Sequence, residues 1–364
     1  VNFLAHRLRA TTGHVGIAFS ENDVRMVQVR EHRSRIDVTG AASFSVPHGS
    51  HMEGLGEALR AAFITGGFIG RKCVVSVPRS EVWMQVARLP EMPDTELAEA
   101  VAWEAADRFG VNRESLRCDW IRTGRAQDRQ EILIIAADKM SMTRRLDAVL
   151  AAGLRPVAVD TGFAGIARLF SRRFRRDADA GKSRAVLDVG SSGSMLMVIR
   201  GRDIAFCKPV AIGGRHIDAR IAERLDLEQD AASELRQVRL VDESNLDPAT
   251  NGAVADAAKP VMAELAREVM LCLRHYSVTV RGDRPEHIVL SGGNASEPGL
   301  KDLIESVCRL PVQLDDEAGC MSDLSEGLAR VLPGAVGAVG GWATSAGLSM
   351  RGIEPRRSAG RRAA

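Results

Sequence analysis

The stretch AVLDVGSSGSMLMV, residues 185–198, holds the residues whose types and spacing best suit chemistry. An apolar strand ends on Asp188, and Gly190, Ser191, Ser192 and Gly193 then turn the chain into a second apolar run. Such a turn aims successive backbone N–H groups into one concavity that can hold phosphate, and its small side chains let the phosphate come close. A carboxylate at the strand end would face a metal ion held by that phosphate, directly or through water. The same DxG pattern also serves hairpins for steric reasons alone, so the turn needs company before it means a site.

Two more glycine pairs supply it. The apolar strand His287–Leu290 runs into Ser291, Gly292, Gly293 and Asn294, and a helix opened by Glu297, Pro298 and Gly299 follows. Glycines there permit a flat ligand, such as a purine, to lie against backbone. Gly213 and Gly214 follow a strand ending in Pro209–Ile212 and begin a helix containing Ile217, Ile221 and Leu225. The N–H groups at that helix start could also face an anion. Taken singly, each pair is an ordinary way to begin a helix.

The elements that must carry these turns repeat. His14–Ser20, Val24–Arg30 and Arg35–Val46 read as three short strands, as do Arg184–Val189, Ser194–Arg200 and Asp203–Lys208. Each unit opens an α/β half. The first half continues with a helix over Met52–Gly66 and a strand over Arg71–Pro78, the second with helices over Gly214–Arg236 and Ala258–Tyr276. The arginine-rich stretch Phe170–Arg184 reads as a surface connection between halves; 242–256 and 315–326 read as exposed acidic loops, and Arg351–Ala364 as a basic disordered tail. Val331–Met350 carries no charge, but five glycines and many Ala, Ser and Thr make it a packed helix rather than a membrane span.

Composition narrows the function classes. At 364 residues the chain calls for two or three domains. The 49 basic and 47 acidic residues leave a formal charge of +2, which gives no chain-wide field for gathering nucleic acid. Cys73, Cys118, Cys207, Cys272, Cys308 and Cys320 form no CxxC pair, so neither a disulfide framework nor a zinc site is indicated and a reducing cytoplasm fits. The opening VNFLAHRLRA is too short in apolar residues for a secretory signal. His48 and His51 form an HxxH without a clear third ligand, and no Ser/His/Asp set is locally supported.

A phosphate hairpin, an IGG helix and an SGGN helix in this order resemble the nucleotide-binding half of the actin, Hsp70 and sugar kinase superfamily. Within it the chain is most similar to the PilM family of type IV pilus assembly proteins, with FtsA further off. LPEMPDTELAEAVAWEAADRFGV (89–111) and AAGLRPVAVDTGFAGIARLF (151–170) resemble that family's signatures, and AIGGRHIDARIAERLDL and HIVLSGGNASEPGL complete the match in order. The resemblance implies a bilobed actin-like α/β fold with subdomain 1A at 1–81 and 155–180, an inserted 1C at 82–154, 2A at 184–213 and 286–352, 2B at 214–285, and a basic tail at 353–364. It also implies ATP and Mg²⁺ in the cleft, with Asp188 facing the metal.

As partners it implies the tail of a PilN-like inner-membrane protein and components of the pilus motor. The protein would then be cytoplasmic and recruited to the inner membrane. A filament-forming FtsA-like protein, a type II secretion or competence relative and a sugar-kinase-type enzyme are the rival classes.

Residues 16–25, GIAFSENDVR, depart from the family's first hairpin: Ala18 stands where a metal-facing Asp is expected and Ser20 where a glycine is, while Arg25 keeps a cation in the lysine slot. ATP hydrolysis is therefore expected to be slow or absent. Glu234 and Arg236 resemble the superfamily's helix that meets adenosine, and Glu264 with Arg267 lie one turn apart on a helix lining the same cleft; all four also fit a solvated helix face. On the helix near Asp94–Phe109, Leu97, Ala98, Val101, Ala102, Ala105 and Phe109 form the core stripe. Trp103 falls on the other face, either covered by a neighbouring subdomain or available to anchor a partner.

Overall fold

The computed structural model describes residues 11–21, 23–32, 35–46, 54–126, 129–172, 181–279, 284–315, 320–333 and 339–353. His48, His51, most of the arginine-rich connection, the opening decapeptide and most of the basic tail lie outside the described residues.

In the first lobe β1 (Thr11–Thr12), β2 (Val15–Phe19), β3 (Asp23–His32), β4 (Arg35–Ser45), α1 (Leu55–Thr65) and β5 (Lys72–Ser76) run in order. An inserted unit follows: β6 (Val82–Pro90), α2 (Asp94–Phe109), β7 (Leu116–Ala126), β8 (Arg129–Asp138) and α3 (Lys139–Ala151). The chain then returns through β9 (Arg155–Asp160) and α4 (Gly162–Ser171). The second lobe opens with β10 (Ser183–Val189), β11 (Ser194–Arg200) and β12 (Asp203–Val210). It continues with α5 (Gly214–Leu225), α6 (Gln229–Val241), α7 (Pro248–Thr279), β13 (Ile288–Ser291), α8 (Leu300–Cys308) and β14 (Val312–Leu314), and α9 (Cys320–Val331) and α10 (Ala343–Met350) close the described fold.

The two large sheets share one plan. In the first, β4, β3 and β2 are antiparallel and β5 and β9 then add in parallel; in the second, β12, β11 and β10 are followed by parallel β13 and β14. The duplicated strand–turn–strand pattern is thus a duplicated sheet. β10 reads as a nearly unbroken apolar run because both its faces are covered. Ala185, Leu187 and Val189 pack toward α5 and α7, while Val186 joins a layer shared with the first lobe. Asp188 lies on the Val186 side of that alternation and so emerges toward the first lobe.

The inserted unit is a three-stranded sheet in the order β6-β8-β7 covered by α2, whose Leu97, Val101 and Ala105 are buried against Ala87, Ile132 and Ile134. Ala98, read as part of that stripe, is exposed at its edge.

Four details differ from the sequence reading. The helix expected over Gly214–Arg236 is two, because Asp226 takes a left-handed φ of 53° and ends α5. The stretch read as a loop over 242–256 is helical from Pro248: the Asp247 carboxylate accepts from the Ala249 and Thr250 amides, and proline suits the first helical position. The loop read over 315–326 is helical from Cys320. Residues 286–352 were assigned together to the second half, yet α9 packs on β4 and α10 packs on β2, β3 and α4 of the first sheet. Small residues allow that approach: a Cβ at Gly16 would lie 2.7 Å from the Ser349 amide nitrogen.

Among the described residues of 331–350, Val331 ends α9 and Ala343–Met350 is α-helical, preceded by a short 3₁₀ turn over Val339–Trp342, and 334–338 lie outside the described residues. No helix among the described residues is long and apolar enough to cross a membrane.

Candidate functional site in the interlobe crevice

The hairpin between β10 and β11 is closed by the Gly190 amide donating to the Gly193 carbonyl at 3.1 Å. Ser191 and Ser192 form its tip, and their amides donate to no described group. The Gly213–Gly214 turn does a different job from the expected one. The Gly214 and Arg215 amides donate to the carbonyls of Gly190 and Ser191, each at 3.0 Å, so the start of α5 holds the hairpin and does not offer those donors to an anion. Only glycine fits at 213, since a Cβ there would sit 2.5 Å from the Ser191 carbonyl oxygen.

The SGGN turn joins them at the ends of neighbouring strands, where ligands of open α/β sheets bind. The Asn294 amide donates to the Val189 carbonyl at 3.1 Å, and a Cβ on Gly292 would lie 2.5 Å from Asp188 Oδ1. Gly293 is exposed, and Arg25 reaches across from β3 so that its Nη1 would lie 4.0 Å from a Cβ there. Arg25 also pairs with Asp23 at 2.8 Å and stands 5.7 Å from the centre of the Trp342 ring. The structure therefore brings together Asp188, Gly190, Ser191, Ser192, Gly193, Gly213, Gly214, Gly292, Gly293, Asn294 and Arg25.

The first hairpin is built differently from the second. The Ser20 amide donates to the Asp23 carbonyl at 2.9 Å, the Asp23 amide donates to Ser20 Oγ at 3.1 Å, and the Ser20 hydroxyl meets the Asp23 carboxylate. These groups satisfy one another, so the Ser20 and Asp23 amides are not free for phosphate. Ala18 is packed against Val74 and Leu348. Glu21 points inward, with Oε2 accepting from Arg215 at 3.4 Å and Oε1 buried without a hydrogen-bond partner.

Arg79, which sequence reasoning passed over, enters the same crevice. It follows Pro78 just past the end of β5, the strand parallel to β2. Its Nε would lie 3.2 Å from a Cβ on Gly193, a distance available because that residue is glycine. The signal was a long cation just beyond the carboxyl end of a central strand.

Burial pushes the Asp188 carboxyl up to about 6, against the opposing pull of the Arg79 charge. Because the folded value exceeds the unfolded one, this group favours the fold at pH below about 4. That contribution is lost as pH rises through about 6. Asp188→Asn should therefore gain stability relative to the unmodified protein as pH goes from 4 to 7, by about 1–3 kcal/mol. Urea unfolding curves at the two pH values check it, and a difference independent of pH would refute it.

The predicted adenosine contacts separate. Glu234, Glu264 and Arg267 are exposed on α6 and α7. Arg236 turns inward instead, donating to Asp218 at 2.5 Å, Glu297 at 2.9 Å and Asn294 at 2.9 Å. Arg239 completes the cluster through Glu297 at 2.9 Å and Asn251 at 2.7 Å. Asn294, so held, stands against Gly214, and the open approach to the SGGN backbone is on the Gly293 side.

These residues fit the phosphates of a nucleotide: the hairpin tip offers amides, and Arg25 and Arg79 offer guanidinium groups that match phosphate geometry. They do not fit Mg²⁺. The first hairpin presents no carboxylate from Ala18, and the Arg79 charge already acts on Asp188.

On the inserted unit Trp103 is 62% exposed, with the Arg113 guanidinium 4.9 Å above its ring. It borders an open hollow of about 680 Å³ with Ala106, Val111 and Leu116 on its walls and Arg113, Arg117 and Lys139 around them. The sequence left two readings for Trp103, and the side chain is uncovered.

Two sheets of one plan, with glycine turns meeting in the crevice between them, define a bilobed actin-like α/β protein. The profile of the type IV pilus assembly protein PilM family matches residues 16–352, and the chain belongs to that family. A solved structure described as a PilM-PilN type IV pilus biogenesis complex superposes with a TM-score of 0.73 at 22% identity, covering 94% of this chain and 99% of that one. The ethanolamine utilization protein EutJ from Carboxydothermus hydrogenoformans superposes with a TM-score of 0.54 at 13% identity, covering 94% of this chain and 91% of that one.

Proposed function

We propose that this chain is a cytoplasmic scaffold of type IV pilus assembly that holds ATP between its lobes and grips the cytoplasmic tail of a PilN-like inner-membrane protein. The tail links it to the membrane and, through that partner, to the pilus motor. Membership in the PilM family supports the assembly role, and the described neighbour is a complex of PilM with PilN. The observation that carries the nucleotide half is the hairpin at Gly190–Gly193 meeting the SGGN turn in one crevice. The phosphates lie on the hairpin tip and the purine on the Gly293 side of the SGGN backbone. Ala18 supplies no carboxylate for water activation and the Asp23 carboxylate is engaged by Ser20 and Arg25, so turnover is slow or absent and ATP serves as a structural ligand.

For the partner half, an unstructured tail that orders on docking loses entropy that a few apolar anchors must offset. Trp103, uncovered beside a hollow lined by Ala106, Val111 and Leu116 with three cations and Glu114 around them, suits that role. The protein should co-sediment with membranes from cells that carry the PilN-like partner and stay in solution with membranes that lack it. Trp103→Ala should weaken binding of the tail peptide by about 10–30-fold, the effect of removing one aromatic hot spot. Equal recovery on membranes without the partner would refute recruitment, and unchanged peptide affinity in Trp103→Ala would remove that residue from the contact.

A further inference from the structure

We propose that Arg79 takes the place of the divalent cation in the interlobe crevice, so that this chain binds nucleoside triphosphate without magnesium. The inference rests on the nucleotide reading above. A metal in such a crevice sits where carboxylates from the two lobes and the phosphates converge, neutralising all of them. Here a guanidinium already stands there. Arg79 comes from the first lobe just past β5, and its side chain lies on the second lobe's hairpin, within 3.2–3.4 Å of where a Cβ on Gly193 would be. Its charge acts on Asp188 at the end of β10 and on Glu21 of the first lobe, with the buried Cys207 thiol also within its field.

The other features of the crevice agree. Ala18 removes the carboxylate that the first lobe would have offered a metal, and it is packed against apolar Val74 and Leu348. Glu21 is largely buried with one carboxylate oxygen lacking a hydrogen bond, which a mobile dication would satisfy only by entering beside a permanent positive charge. Arg25 adds a second guanidinium on the SGGN side. Two arginines can neutralise much of a triphosphate, and each can bind phosphate oxygens through two parallel N–H groups. Unlike Mg²⁺, an arginine is tethered and does not exchange, so it can hold a phosphate without orienting a coordinated water for attack.

The test is calorimetric titration of the full chain with ATP, once with magnesium and once with EDTA. The unmodified protein should bind ATP with affinities within about threefold of each other in the two buffers. In EDTA, Arg79→Ala should lose about 10–100-fold, the worth of charge-assisted hydrogen bonds, and magnesium should restore part of that loss. Arg79→Lys, which keeps the cation, should bind in EDTA better than Arg79→Ala, and melting curves establish that each variant is folded. Phosphate release by the unmodified protein should stay well below about 1 per second. Binding by the unmodified protein that requires magnesium, or undiminished affinity of Arg79→Ala in EDTA, would overturn the inference and leave the nucleotide reading intact. Absence of ATP binding in both buffers would overturn the nucleotide reading and this inference with it.

Discussion

Arg236→Ala is expected to lower the unfolding free energy by about 3–5 kcal/mol, among the largest effects of any single change in this chain. The guanidinium is almost fully buried and is shared by Asp218, Glu297 and Asn294, with Arg239 bonding the second oxygen of Glu297. Two cations balance the two buried carboxylates, and the half-exposed Glu243 stands 3.6 Å from Arg239 at the cluster's rim. Burial pushes the Glu297 carboxyl upward against the pull of Arg236 and Arg239. Deleting one cation strands a carboxylate in a dry setting, and that uncompensated charge, not the lost contact, dominates the cost. Urea denaturation at neutral pH measures it, and a loss under about 1 kcal/mol would show that solvent reaches the cluster. The cluster ties α5, α6 and the SGGN loop together, so ATP affinity should fall in the same variant.

Gly292→Val should abolish ATP binding and also destabilise the second lobe by about 2–4 kcal/mol. The residue has φ of 99°, which a β-branched side chain adopts only under strain. A Cβ would lie 2.5 Å from Asp188 Oδ1, 2.6 Å from the Val189 carbonyl oxygen and 2.8 Å from its amide nitrogen, two of them backbone atoms that cannot rotate away. Calorimetry on folded Gly292→Val protein showing ATP affinity within threefold of the unmodified chain would place the nucleotide elsewhere. Gly293→Ala is the useful companion: that position is exposed with no contact nearer than Arg25, so it should fold normally while still narrowing the purine's approach.

Much of the fold was legible because its strands are buried on both faces or alternate cleanly. The reading of Ser194–Arg200 matches β11 end to end, and that of Arg184–Val189 misses only the first residue of β10. The glycine turns were legible as well, since their sterics are local: the residues that must be small are those the backbone of the next turn touches. Side-chain destinations were not. Arg236 has the residue type for a nucleotide contact, but the carboxylates that turn it inward lie 18 and 61 positions away along the chain. Arg79 was missed because its role depends on a hairpin in the other lobe. Pro248 was read as loop material, although an Asp before a Pro is also how a helix begins. The resemblance places α10 with the second lobe, and nothing within residues 343–350 names the strand that will receive it.

That last placement has a kinetic consequence. The Ser349 hydroxyl donates to the His14 carbonyl at 2.5 Å and accepts from the Val29 amide at 3.0 Å, contacts spanning 335 and 320 positions. During synthesis β2 and β3 emerge early with one face of their sheet bare, and the helix that covers it leaves the ribosome roughly 300 residues later, some 15–60 s at ordinary translation speeds. The second lobe, whose own core comes from residues 185–314, has no such wait and can mature while the first is incomplete. The first sheet is thus the late and aggregation-exposed part of assembly, and a nascent chain arrested before Ala343 should be the form that chaperones hold longest.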